Sequence, residues 1–339
     1  MNAPDNAPDR QAWLQARRAG LGGSDIAAML GQSPYRTPLA LWMDKTGRAP
    51  DAPPDDATAE RMHWGTVLED VVARHYADTN GRRIQRLNTM LRHPACSIAL
   101  ANIDRAVVLD GSRARWDAHT GRVLGADRIL EVKTAHALAQ NSAEWGAPGT
   151  DEVPQAYYLQ CLWYLGITGV EVADLAVLFG GQRYVEYRIT LDAPLFSDLL
   201  GEARGWWDRH VVADTPPQPE SEDEARMLWR AHKPGAVKIV GSDVAEACAE
   251  LGRVKAQISE LERQEQALRD TITCAFGDAE EVQHMGRRLA TWRANKPTRK
   301  TDWKAVSAEF DPGPDLIESF TTETPGARVL RLAITKESV

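Results

Sequence analysis

The chain has 339 residues, 43% of them hydrophobic and 26% charged, with a net charge of −8 and four cysteines. That length suits one large domain or two ordinary ones, and no apolar run approaches the ~20 residues that span a membrane. Cys96, Cys161, Cys248 and Cys274 show no CxxC spacing, which argues against zinc fingers, iron–sulfur clusters and a disulfide framework and suits a reducing cytoplasm.

The net acidity does not decide whether the chain meets nucleic acid, because carboxylates that hold a divalent cation are locally neutralised. Residues 1–10, MNAPDNAPDR, lack the basic and apolar stretches of an export signal, and their composition predicts disorder. Trp13 to Arg18 reads as a short helix. Gly20-Leu21-Gly22-Gly23-Ser24-Asp25 leads into an apolar helix from Ile26 to Leu30, with Ser24 or Asp25 as its N-cap. Two readings stand for this turn: an ordinary capped helix, or a Gly-rich anion site at a helix N-terminus. Ser33-Pro34-Tyr35 predicts a turn, Pro38 to Thr46 a helix and residues 49–58 a loop.

Trp64 to Thr79 reads as a helix whose apolar face is Leu68, Val71, Val72, His75 and Tyr76. Glu69 borders that face. Ser97 to Leu109 reads as a strand interrupted by Asp104, a residue type depleted in strands, and residues 110–125 are turn-rich. Ile129-Leu130-Glu131-Val132-Lys133 reads as a buried strand carrying two charges. Alternation puts Ile129, Glu131 and Lys133 on one face and Leu130 and Val132 on the other. Burying either ion alone is costly, so Glu131 and Lys133 form a structural ion pair or belong to a metal site.

Residues 154–168 predict a helix with Pro154 near its start, lined on one side by Tyr157, Cys161, Tyr164 and Leu165, with Gln160 beside that face. Asp174 to Phe179 and Arg183 to Leu191 read as a hairpin about Gly180-Gly181-Gln182, followed by a helix from Leu195 to Val211. The run ADTPPQPE, residues 213–220, reads as a linker. Beyond it Leu251, Val254, Ile258, Leu261, Leu268 and Ile272 keep a 3-4 spacing with Glu265 at the polar seam position, a coiled-coil or long-helix signature. A strand from Arg288 to Arg293, a short helix from Asp302 and a final strand from Val329 to Thr335 complete the chain.

The polar residues that intrude into apolar elements are Glu69, Asp104, Glu131, Lys133 and Gln160. Hard oxygen ligands of this kind suit Mg²⁺ or Mn²⁺, and such a site neutralises phosphate charge and activates water for attack on a phosphodiester. Spacing alone also allows five unrelated residues.

The order D…E-x-K across two strands resembles the PD-(D/E)xK nuclease superfamily. Its surroundings resemble one branch of it, the phage-type YqaJ and lambda exonucleases of recombination. The similar stretches run from Trp13 through Arg17 and Gly22-Gly23-Ser24-Asp25 to Gly31, then Ser33-Pro34-Tyr35, Trp42 with Lys45-Thr46-Gly47, and Trp64 to Glu69. They continue through Asn102-Ile103-Asp104-Arg105, Leu130-Glu131-Val132-Lys133, and Pro154 to Gln160 with Thr168-Gly169, covering roughly residues 11–190. The chain departs from the family where Asn102-Ile103-Asp104 lacks the usual Pro and where Gln160-Cys161-Leu162-Trp163 replaces Q-x-Q-H.

The resemblance implies an α/β fold with a central mixed sheet flanked by helices over residues 11–212; residues 221–339, which match no family motif, read from their own pattern as a C-terminal helical and β appendage for interaction or for gripping DNA. It implies that Asp104, Glu131 and the Val132 carbonyl bind metal, that Glu69 supports that metal, that Lys133 is catalytic, and that Gln160 orients the water or the lysine. Arg17 and Ser24 match the family's pocket for a terminal 5′-phosphate. The implied activity is Mg²⁺-dependent 5′→3′ exonuclease action on double-stranded DNA ends, with Mn²⁺ as a substitute, releasing mononucleotides and leaving a 3′ single strand. The alternatives are an endonuclease of restriction or repair, and a catalytically silent DNA-binding assembly protein. The implied setting is the cytoplasm of a bacterial host, as a phage or prophage protein. The implied partners are DNA ends, further copies in a trimeric ring and a single-strand annealing recombinase, with no membrane.

Overall fold

The computed structural model describes residues 13, 15–49, 55–310 and 313–322. The expected disorder of residues 1–10 and the final strand from Val329 to Thr335 lie outside the described residues. The chain divides into two units, Met1–Ala225 and Arg226–Val339.

The first unit opens with a helical turn at residues 15–18, then α1 (Gly23–Met29), α2 (Pro38–Lys45) and α3 (Asp56–Asn80). Helix α3 begins at Asp56, inside the stretch expected as a loop, because the Asp55 carboxylate caps it by accepting the Thr58 N–H at 2.7 Å. It ends at Gly81, whose φ of 59° lies in the left-handed region that glycine enters without strain. Strands β1 (Arg83–Gln85), β2 (Leu91–Arg92), β3 (Leu100–Ala101), β4 (Arg105–Val108), β5 (Arg115–Asp117), β6 (Arg122–Leu124) and β7 (Ala126–Ala135) follow. The unit closes with α4 (Gln155–Thr168), β8 (Val172–Phe179), β9 (Arg183–Thr190) and α5 (Ala193–Trp206).

Five strands form one mixed sheet in the order β1-β4-β7-β8-β9. Only β7 and β8 run parallel, joined through α4. The single strand expected over Ser97 to Leu109 is two strands in two sheets. Residues 102–104 leave the ladder between β3 and β4, which frees the Asp104 side chain from a strand position that disfavours it. The turn-rich stretch before β7 contains the β5–β6 hairpin.

Strand β7 alternates as its sequence requires. Leu130 and Val132 pack under α3 with Val72, Ala73, Tyr76, Val107 and Ala176. The exposed Val71, placed on the apolar face by sequence, does not join them. Glu131 points the other way, toward α4, where Gln160 meets it. The sheet therefore separates an α3 layer from an α4 layer.

Two elements differ from expectation for reasons of packing. Residues 213–220, expected as a linker, stay tied to the first unit: Arg48 grips Asp214 with two hydrogen bonds of 2.5 and 2.8 Å, Pro217 is buried, and the Thr37 hydroxyl donates to Glu224. The division between units falls inside α6 (Glu222–Leu228). In the second unit α7 (Ser242–Phe276) carries the 3-4 seam, with Val254, Ile258, Leu261, Leu268 and Ile272 exposed. A hairpin of β10 (Glu281–His284) and β11 (Arg287–Thr291) follows, then α8 (Trp303–Glu309) and α9 (Pro314–Ser319).

On the α3 face of the sheet, Asp174 of β8 is a buried carboxylate with three donors. Tyr76 Oη donates at 2.6 Å, Arg128 Nη1 at 2.9 Å and Arg188 Nε at 2.9 Å. Burial pushes this carboxyl up, but the hydrogen bonds from Tyr76, Arg188 and Arg128 outweigh it and the net shift is downward. A depressed carboxyl contributes stability above the ordinary carboxylate range and loses it as the pH falls through the folded value. Asp174→Ala is expected to cost about 3–5 kcal/mol in urea unfolding at pH 7, because it leaves the buried Tyr76 hydroxyl and Arg128 Nη1 without their acceptor. The gap to wild type should narrow on acidification. A loss below about 1 kcal/mol, the level of a single neutral hydrogen bond, would show that the network is not structural.

Candidate active site

At the α4 side of the sheet a cleft of about 370 Å³ is lined by Arg17, Ser24, Glu69, Asp104, Glu131, Val132, Lys133 and Gln160. Every site residue singled out in the sequence thus borders one cavity. The β4–β7 register pairs Arg105 with Leu130, so one step further Asp104 comes to lie beside Glu131. The Val132 N–H reaches across to Asp104 Oδ2 at 2.9 Å and fixes that carboxylate.

Glu131 is 3% exposed. One of its oxygens, Oε1, accepts from Lys133 Nζ at 2.7 Å and from Gln160 Nε2 at 2.5 Å. The other, Oε2, is buried and has no hydrogen-bond partner among the described residues. Burial, then the nearby Asp104 charge, pushes the Glu131 carboxyl up to about 7. Burial also raises Asp104, reinforced by Glu69 and opposed by Lys133 and the Val132 N–H. Burial works against the Lys133 ammonium, but Glu131 and Asp104 outweigh it and raise its pKa, so the lysine stays charged. Its Nζ also lies 5.4 Å from the Tyr157 ring centroid.

A buried carboxylate raised by its neighbour, with one oxygen lacking any donor, is the electrostatic complement of a cation. Asp104 and Glu131 Oε2 could hold one, with Val132 in the same lining. Among the described residues no three His, Cys, Asp or Glu side chains are gathered closely enough to hold a metal ion. Glu69 comes from α3, on the opposite face of the sheet, and lines the same cleft, where its charge raises the Asp104 carboxyl. There it is held by Arg105 Nη1 at 2.7 Å, with Arg86 Nη2 at 3.4 Å. Arg105, 3% exposed, also binds Asp70 Oδ1 at 3.0 Å and the Asp104 carbonyl at 2.6 Å.

The other wall is built from the turn that carries Arg17 and the start of α1, with α2 behind them. The N-cap of α1 is Gly22, not Ser24 or Asp25. Ser24 is exposed in the first turn, while Asp25 is 1% exposed and accepts from Gly22 N–H at 2.9 Å, Lys45 Nζ at 2.6 Å and Arg36 Nη1 at 3.1 Å. Lys45 Nζ in turn donates to the Arg17 carbonyl at 3.0 Å. This buried pair ties the turn that carries Arg17 to the start of α1. Gly23 has no room for a side chain, since a Cβ would stand 2.5 Å from Tyr164 Cε1, and that close approach brings Ser24 to the end of the cleft where α4 begins its contact.

Sequence reasoning missed Asp25, Lys45 and Arg105 as organisers of this site. Asp25 and Lys45 fell in stretches similar to the family, and Arg105 is a charge inside an apolar strand, which was the available signal for it.

The profile of the YqaJ-like viral recombinase domain matches residues 12–171. The chain is 31% identical over 328 residues to the uncharacterized protein YqaJ of Bacillus subtilis (strain 168), covering 95% of this chain and 94% of that one. Among solved structures, the alkaline exonuclease LHK-Exo from Laribacter hongkongensis aligns with a TM-score of 0.43 at 16% identity, over 60% of this chain and 93% of its own. A phage-related exonuclease from Haemophilus somnus 129PT aligns with a TM-score of 0.38 at 12% identity, over 58% and 96%.

If the Asp104–Glu131 pair takes a divalent cation, Mg²⁺ or Mn²⁺ stabilises the wild type against heat by about 2.7 kcal/mol at a hundredfold excess over Kd. Glu131→Gln should abolish that gain. The cation competes with a proton on Glu131, so affinity is expected to rise with pH through about 7 and level off above it. Equal thermal shifts in wild type and Glu131→Gln would place the cation elsewhere.

Proposed function

The chain belongs to the YqaJ-like viral recombinase family, and on that premise we propose that it is a divalent-metal-dependent 5′→3′ exonuclease acting on double-stranded DNA ends in recombination. The observation that carries the reading is the Glu131 carboxylate, with one oxygen held by Lys133 and Gln160 and the other without a donor, beside Asp104. That is an arrangement made for a cation and a phosphate rather than for a closed ion pair.

A bound Mg²⁺ or Mn²⁺ supplies charge neutralisation at the phosphodiester and a more acidic water. Asp104, Glu131 and the Val132 carbonyl are the residues that would hold it, with Glu69 supporting from the α3 side. Lys133 stays protonated, so its role is to stabilise negative charge growing on the phosphate and to hold the attacking water, not to take a proton. Gln160 holds Glu131 Oε1 and thereby fixes where the lysine and carboxylate stand. Arg17 and Ser24, in the lining of the same cleft, would receive a terminal 5′-phosphate. Such an end-stop sets the scissile bond a fixed distance from the strand terminus, which favours an exonuclease over an endonuclease. Release of mononucleotides, a trimeric ring and hand-over to a single-strand annealing recombinase belong to the same proposal on the strength of family resemblance.

Linear duplex with 5′-phosphate ends is expected to be degraded with Mg²⁺, linear duplex with 5′-hydroxyl ends more slowly, and closed circles not at all. Lys133→Ala should lower kcat by about 10²–10³-fold or more. Arg17→Ala should remove the preference for phosphorylated ends while leaving slow hydrolysis of hydroxyl ends. Equal attack on all three substrates overturns end recognition, and cleavage of circles supports the endonuclease reading instead.

A further inference from the structure

We propose that the stretch from Arg287 to Trp303 in the second unit binds single-stranded DNA. Residues 287–300 hold six Lys and Arg and no Asp or Glu, in a chain whose net charge is −8. Arg288 and Arg293 lean on Glu281 at 3.6 Å and Glu280 at 2.5 Å. Arg287, Lys296, Arg299 and Lys300 make no ion pair among the described residues. From Thr291 to Trp303 every residue is exposed. Of these, Lys296, Arg299 and Lys300 follow one another on an irregular, open backbone and repel one another unless an anion lies along them.

Two indoles bracket the run and narrow the partner. Trp292 is 57% exposed and Trp303 74% exposed. Trp292 continues the β11 ladder, its N–H donating to the Glu280 carbonyl at 3.0 Å, and one edge of its ring rests on Phe276, 5.8 Å between centroids. The ring is thus held in place with most of its surface in water. An isolated solvated charge run does not account for exposed indoles on both sides of it, one of them held in place. A duplex keeps its bases stacked and offers no π-face along its backbone, whereas a single strand presents both phosphates for the cations and bases for the rings. The binding chemistry stands on these residues alone; that the strand is the 3′ tail left by digestion rests on the exonuclease reading.

The test uses the full-length protein in EDTA, so that no hydrolysis occurs, and a fluorescent single-stranded oligodeoxynucleotide beside a duplex of equal length. Wild type should bind the single strand more tightly. Lys296→Ala/Arg299→Ala/Lys300→Ala, all in irregular exposed chain, should flatten the slope of log K against log salt by about 2. Trp303→Ala should weaken single-strand binding about fivefold or more, with the thermal unfolding of both variants unchanged. Unaltered affinity and slope in the triple variant overturn the proposal, and a triple variant that loses as much duplex affinity as single-strand affinity overturns the choice of strand. Because hydrolysis is measured separately with Mg²⁺, an inactive cleft with intact strand binding would defeat the exonuclease reading and leave this one standing.

Discussion

The first unit is organised around a carboxylate that the central sheet keeps almost dry. Glu131 lies mid-strand with β4 on one side and β8 on the other, so its charge cannot retreat to solvent. Burial of an ion at that depth costs several kcal/mol, and the surroundings offset it only in part. Lys133 and Gln160 satisfy one oxygen, Asp104 adds repulsion, and the second oxygen goes without a donor. Stability alone would have placed an apolar residue there. The arrangement makes sense as a site held ready for a cation.

The neighbouring parts of the fold follow from keeping that carboxylate in place. Helix α4 brings Gln160 across the Glu131 face, and Gly23 lets α1 press against α4 closely enough to bring Ser24 to the same cleft. The buried Asp25–Lys45 pair locks the wall that carries Arg17. On the opposite layer Arg105 is fully engaged by Glu69, Asp70 and the Asp104 backbone. It therefore couples the helix that carries Glu69 to the strand that begins beside Asp104. Two buried or nearly buried basic residues, Lys45 and Arg105, thus set the positions of acidic groups and backbone around the cleft without lying at its centre.

The second unit obeys different rules. Its long helix exposes the seam that a core would bury and pairs its own charges along its surface, while residues 287–300 carry basic charge alone. A surface of that kind is shaped for contact with something outside itself, and the basic, indole-flanked stretch after the hairpin is where its chemistry is most definite.

The sequence alone picked out residues that the structure gathers about one cleft. Glu131 and Lys133 were legible because a period of two puts them on one face and burial makes both anomalous; Glu69, Asp104 and Gln160 stood out as polar residues in apolar elements. Helices with strong caps and the β8–β9 hairpin were legible because their signals are local. Only the tertiary structure decided how these pieces meet. The break between β3 and β4 and the attachment of residues 213–220 to the first unit depend on partners far away in sequence. So does the meeting of Glu69 with Arg105 beside the cleft, because a helix on one face of a sheet and a strand within it share no periodicity that sequence could reveal. Local spacing fixes which way a side chain points; long-range pairing fixes what it finds there.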